Sequence, residues 1–148
     1  MNCDTGNIAF PMQADIFYSI NDQSAYGNVL RSWYYERTIS CNFVYAGSKF
    51  REEVIPNILI SQESLLIGRS KDDFRISLNG DPIDNTNIAI TNIRDKNCNE
   101  LYLENGGPRA GKSTVYEIAT FQPFINPFGR VEHYSIVLKR SENQGFDI

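Results

Sequence analysis

Two segments near the C-terminus constrain the fold most. Residues 114–121 and 131–140 place β-branched and aromatic side chains at strand spacing, and both segments are apolar on both faces. Tyr116 and Ile118 fall opposite Val115, Ala119 and Phe121, while Tyr134, Ile136 and Leu138 fall opposite Val131 and Val137. Strands of that kind belong inside a fold. Between them Pro123 and Pro127 resist continuing a ladder and Gly129 permits positive φ, so the pattern predicts a hairpin with a long tip. The tip holds Phe124, Ile125 and Phe128 and is too apolar for a plain solvated turn. It either folds back on the domain or meets a partner.

The rest of the chain repeats the strand signature. A first strand is expected at 14–20. The segment 29–36 contains Trp33, Tyr34 and Tyr35, and 37–45 alternates Ile39, Cys41, Phe43 and Tyr45 against Thr38, Ser40 and Asn42. Nothing breaks the chain between 29 and 45, so this stretch is one long bent strand or two strands kinked near Glu36 and Arg37. A turn is expected at 46–49, short strands at 57–61, 74–78, 88–93 and 101–104, and an exposed loop at 79–87. Only 62–73 admits a short helix, interrupted by Gly68. About eight or nine strands with little helix predict an all-β fold, a small antiparallel β-barrel or sandwich with long loops. The chain's 148 residues suit one domain, taken as 14–148, preceded by an extended N-terminal arm at 1–13.

Chemistry is sparse. Gly106, Gly111, Lys112 and Ser113 satisfy the phosphate-loop pattern G-x-x-x-x-G-K-[ST] to the letter. That loop works only when a helix leaves it, so that N-terminal amides face the phosphates. Here Lys112 is followed by Ser-Thr-Val-Tyr-Glu-Ile-Ala-Thr-Phe, a strand sequence, so the match reads as a glycine-rich connection between antiparallel strands. His133 is the one histidine and lies mid-strand, where a structural role outweighs a general base. Glu52-Glu53 and Asp72-Asp73 are adjacent pairs whose carboxylates diverge on a strand, so neither holds a metal. No catalytic residue, metal or cofactor is expected.

Cys3, Cys41 and Cys98 are odd in number and widely spaced, which predicts reduced, mostly buried thiols. A net charge of −4 argues against bulk attraction to nucleic acid. Lys112, Arg130, Lys139 and Arg140 nevertheless give the C-terminal hairpin a basic edge. No apolar run reaches the length of a membrane span and the N-terminus lacks a signal-peptide pattern, so synthesis in the cytoplasm is expected. Three aromatic residues in a row must put a ring on the second face of their strand. Trp33 and Tyr35, with Phe124, Ile125, Phe128 and Arg130 of the tip, are therefore the interface candidates.

The order of features resembles the head-completion (head-closure, or stopper) neck proteins of tailed bacteriophages. The resemblance rests on Tyr26-Gly27-Asn28 leading into the Trp33 strand and Asp73-Phe74-Arg75-Ile76 before a loop. It continues with Thr114-Val115-Tyr116-Glu117-Ile118, then Pro123, Pro127-Phe128-Gly129, and the strand from His133 to Leu138. It implies a small β-barrel without enzymatic activity, a structural virion protein of the head-tail connector. Such a protein forms a homo-oligomeric ring, closes the DNA-filled head and docks the tail. Its partners would be neighbouring portal, adaptor and tail proteins, with non-specific proximity to packaged DNA and no membrane. The longer arm and proline-rich tip leave a tail-completion or baseplate protein as the alternative.

Overall fold

The alternation along 12–23 sends Ala14, Ile16 and Tyr18 inward, and the same rule buries Ile39, Cys41 and Phe43. These residues line the interior of a closed six-stranded antiparallel barrel, seen in a computed structural model that describes residues 3, 5–23, 27, 29–45, 65–141 and 144. The strands are β1 (Met12–Gln23), β2 (Val29–Tyr45), β3 (Leu65–Ser70), β4 (Ile88–Arg94), β5 (Tyr116–Ile125) and β6 (Val131–Arg140). They close in the order β1-β2-β3-β6-β5-β4, every neighbour antiparallel. The barrel form of the expected all-β fold is thus the one adopted. The expected turn 46–49 and strand 57–61 lie outside the described residues.

Residues 29–45 form one strand. Ile16 faces Arg37 and Phe17 faces Tyr35, so Glu36 is the extra residue of a bulge, placed at the expected kink. Residues 65–70 are strand β3, not the short helix their sequence admits. Leu66 and Gly68 pair with Tyr45 and Phe43 on one side and with Leu138 and Ile136 on the other. Two ladders outweigh weak helix propensity. The C-terminal hairpin also departs from expectation at its tip. β5 runs through Pro123 to Ile125, and the turn closes tightly. Asn126 Oδ1 accepts from the amides of Phe128 (3.0 Å) and Arg130 (3.1 Å).

Because neighbouring strands alternate in direction, β3 ends and β4 begins at one end of the barrel, on strands that are not adjacent. The segment 71–87 therefore crosses that end. Phe74 plugs it, fully buried with its ring edge-on to Phe121 at 5.1 Å. Tyr18 Oη donates to Phe74 O at 2.5 Å, and burial raises the Tyr18 hydroxyl pKa. The Arg37 guanidinium holds Asp72 through two bonds (3.0 and 2.8 Å) and reaches Asp73 O and Ile76 O, each at 3.2 Å. Residues 74–78 are accordingly a clamped turn with one bridge, Ile76 to Pro82, in place of the expected strand.

Tyr102 covers the opposite end, donating to Phe43 O at 2.6 Å, and its burial pushes the hydroxyl pKa up to about 12. The expected strand 101–104 is reduced to isolated bridges around it. Two residues of the N-terminal segment, Cys3 and Phe10, are also buried. Cys3 is bonded to Cys98 with a Cα–Cα distance of 5.3 Å. This corrects the expectation of three free thiols, since spacing along the chain does not report where the arm folds back. Cys41 is free and buried, and burial raises its pKa to about 12. Gln144 pins the C-terminal end by exchanging bonds with Val115 N (2.9 Å) and O (2.8 Å). Among the described residues no helix is long and apolar enough to cross a membrane.

Candidate functional site: an exposed hairpin tip and a cleft in the barrel wall

The interface candidates fall in two places. Phe124, Ile125, Phe128 and Arg130 lie on the β5–β6 tip, beyond Tyr134, the last β6 residue paired with β3. Phe128 is 87% exposed, and Phe124, Ile125 and Val131 are about half exposed. The alternative that the tip packs into the barrel is thereby removed. The Phe124 ring instead stacks on His133 at 4.7 Å and an interplanar angle of 7°, which gives the one histidine a structural role. The turn is stiff because Asn126 bonds it internally, and Gly129 supplies the φ of +79° that it requires. Phe128→Ser should consequently change the melting temperature of the isolated chain by less than about 2 °C, because so exposed a ring contributes well under ~1 kcal/mol to the fold. A loss of 10 °C in a thermal melt would place Phe128 in the core after all.

Trp33 and Tyr35 lie on the outer wall. Trp33 packs, partly buried, on a second apolar cluster of Phe17, Ala89 and Val115. Tyr35 sits edge-on to Phe17 at 5.8 Å and shares a 2.7 Å hydrogen bond with Thr38 Oγ1. Tyr34 points the other way, edge-on to Tyr18 at 6.1 Å, as period two demands of three successive rings. Beside Phe17 and Tyr35 opens a cleft of about 560 Å³, whose far side is Asn92, Glu100 and the 109–113 loop. Asn92 lies in a β4 bulge at φ 55°, a backbone form that asparagine tolerates better than most residues. Its side chain donates to Asp15 Oδ2 at 3.0 Å, and Asp15 Oδ1 takes bonds from Arg94 (3.1 Å) and Thr38 (2.8 Å). The sequence reading missed Asn92 and Glu100, because no local pattern marks a bulge or the wall that faces it.

The loop carrying Gly106, Gly111, Lys112 and Ser113 lacks phosphate-loop geometry. Three amides that would face a phosphate donate instead to backbone carbonyls: Ala110 N to Gly107 O (3.3 Å), Gly111 N to Glu104 O (2.9 Å) and Lys112 N to Arg109 O (2.8 Å). No helix follows Ser113, and β5 begins at Tyr116. Arg109 is buried, its Nε donating to Ser113 O at 3.1 Å, whereas Lys112 is exposed. Ser113 Oγ is buried without a hydrogen-bond partner among the described residues. Lys112→Ala should therefore leave folding and solubility unchanged within about 0.5 kcal/mol by denaturant titration. Saturable micromolar ATP binding that this substitution abolished would reinstate the nucleotide reading.

Two cations of the expected basic edge are paired, Lys139 with Glu117 at 3.1 Å and Arg140 with Glu104. The Arg140 hydrogen bonds, followed by that from Thr114 Oγ1 at 2.9 Å, hold the Glu104 carboxyl below its ordinary value of 4.5. A depressed carboxylate stabilises the fold above its unfolded pKa and loses that contribution as pH falls through the folded one. Glu104→Gln should thus flatten the acid limb of the stability profile below pH ~4.5, as measured by urea midpoints at successive pH values. An unchanged limb would show that the pair contributes nothing. Among the described residues no group of three His, Cys, Asp or Glu could hold a metal.

No family model matches this sequence, and no curated protein matches it. A solved structure does share its architecture: the solution structure of protein SF1141 from Shigella flexneri 2a. It aligns at a TM-score of 0.52 and 16% identity, over 93% of this chain and 99% of that one. The likeness is one of fold alone. It extends over nearly the whole of both chains.

Proposed function

We propose that this chain is a structural virion protein of a tailed bacteriophage. It acts as a ring subunit of the head-tail connector, closing the DNA-filled head and offering a docking surface to the tail. The observation that carries the reading is the β5–β6 tip. A stiff turn projects Phe124, Ile125 and Phe128 into solvent from a barrel whose interior is already filled. Exposed apolar area on a rigid element favours association, since little ordering cost opposes it.

Three further observations favour assembly over catalysis. The phosphate-like loop has its amides bonded to its own carbonyls, His133 is stacked against Phe124, and the Cys3–Cys98 bond suits a chain that persists on a virion surface. The resemblance in the Trp33 strand, in the turn from Asp73 to Ile76 and in the C-terminal hairpin supplies the phage assignment.

The test is genetic and structural. Deleting the gene from a phage that encodes this chain should leave heads that package DNA but lose it, together with unattached tails, as seen by electron microscopy. Normal virions in the deletion strain would overturn the proposal.

A further inference from the structure

The tip and the wall cleft are complementary, and the geometry points to a contact between copies of this chain in which the β5–β6 tip of one seats in the Phe17–Tyr35 cleft of the next. This inference rests on the proposed ring and names the surfaces that would build it. The tip is a convex knob with Phe128 almost wholly exposed and Ile125 beside it. The cleft is concave, has two aromatic residues in its wall, and at about 560 Å³ falls within the size range of clefts that enclose drug-sized groups. One or two apolar side chains fit such a volume.

Charge agrees with shape. The tip carries exposed Arg130 and, two residues on, Glu132, while the cleft presents exposed Glu100 and Lys112. Seating the knob can set Arg130 against Glu100 and Glu132 against Lys112, two opposite-sign pairs around an apolar centre. The paired surfaces belong to different parts of the molecule. The tip projects past the barrel end where β5 finishes, and the cleft is built partly from the connection at the opposite end. A surface that meets a different surface on its neighbour gives a heterologous contact, which propagates around a ring or along a filament instead of stopping at a two-fold dimer.

Sedimentation velocity on the purified full chain tests this with three kinds of variant, each first melted to show a wild-type fold. Phe128→Glu should remain monomeric at concentrations where wild type assembles, with self-association weakened at least tenfold. Glu100→Arg and Arg130→Glu should each weaken assembly, and the double variant should recover most of it. Mixing Phe128→Glu, which keeps a sound cleft, with Tyr35→Asp, which keeps a sound knob, should give one-to-one heterodimers that grow no further. Rings that form normally in Phe128→Glu, or no recovery in the double charge swap, would overturn this contact while leaving the ring proposal standing. Wild-type protein that stays monomeric at every concentration, with a deletion phage that still shows the leaking heads, would also overturn the contact alone. If that deletion phage is normal as well, both fall.

Discussion

Gly68→Ala should lower the melting temperature by roughly 10 °C or more, the largest loss expected of a methyl group added at Gly6, Gly68, Gly80, Gly106, Gly107, Gly111 or Gly129. A Cβ at position 68 would lie 1.7 Å from Asn42 O, 2.7 Å from Asn42 C and 2.7 Å from Phe43 Cδ1. Two of these three atoms are backbone in the adjacent strand, so no rotamer change relieves the overlap. Either β2 and β3 separate locally, breaking the ladder between Phe43 and Gly68, or Phe43 leaves a fully buried position beneath Tyr102. Overpacking that backbone shifts must absorb costs on the order of 3 kcal/mol or more. Gly80→Ala is the natural control. Gly80 has a φ of +89° and nothing within 4 Å of an added Cβ, so its cost is the left-handed conformation alone, about 1 kcal/mol. Equal melting temperatures for the two variants would mean that the 42–68 approach is wrong.

Cys3→Ser should be at least as damaging. The Cys3–Cys98 bond links residues 95 apart, and a cross-link of that span restricts the unfolded chain by roughly 4–5 kcal/mol in the loop-entropy account. The folded side adds the packing of Phe10 between that anchor and β1. Melting wild type with and without dithiothreitol should reproduce the difference between wild type and Cys3→Ser. The variant itself should not respond to the reductant. Thiol titration of unreduced, denatured wild type should find one reactive group, Cys41, and three after reduction. Three before reduction would show that the bond does not form.

Much of the architecture was legible because it is local. The strand signal of Val131–Arg140 gives β6 its bounds, but its two-face apolar pattern does not make it an interior strand: in the barrel wall only Ile136, Val137 and Leu138 are buried. The alternation from Ile39 to Phe43 names its buried face, and the kink near Glu36 announces a bulge. The β-branched and aromatic residues after Lys112 also expose the phosphate-like motif, because residue types that disfavour a helix act on their own few positions. Where local signals are weak they misled. The segment around Gly68 looks helical only when the two strands flanking it are out of sight, and Phe74 looks like a strand residue until its place across the barrel end is seen.

By itself, then, the sequence determined the all-β class, most of the strands and most of the inward faces, since period-two burial is written residue by residue; Phe121, expected opposite Tyr116 and Ile118, joins them in the core because a bulge at Ala119 breaks that period. Tertiary structure alone decided the closing order β1-β2-β3-β6-β5-β4, the Cys3–Cys98 bond, the need for glycine at 68 and the cleft between Tyr35 and Glu100. The disulfide, the approach of Gly68 to Asn42 and the cleft join residues 26 to 95 positions apart. A hydrophobic pattern states which side of an element is buried, but not which distant element buries it.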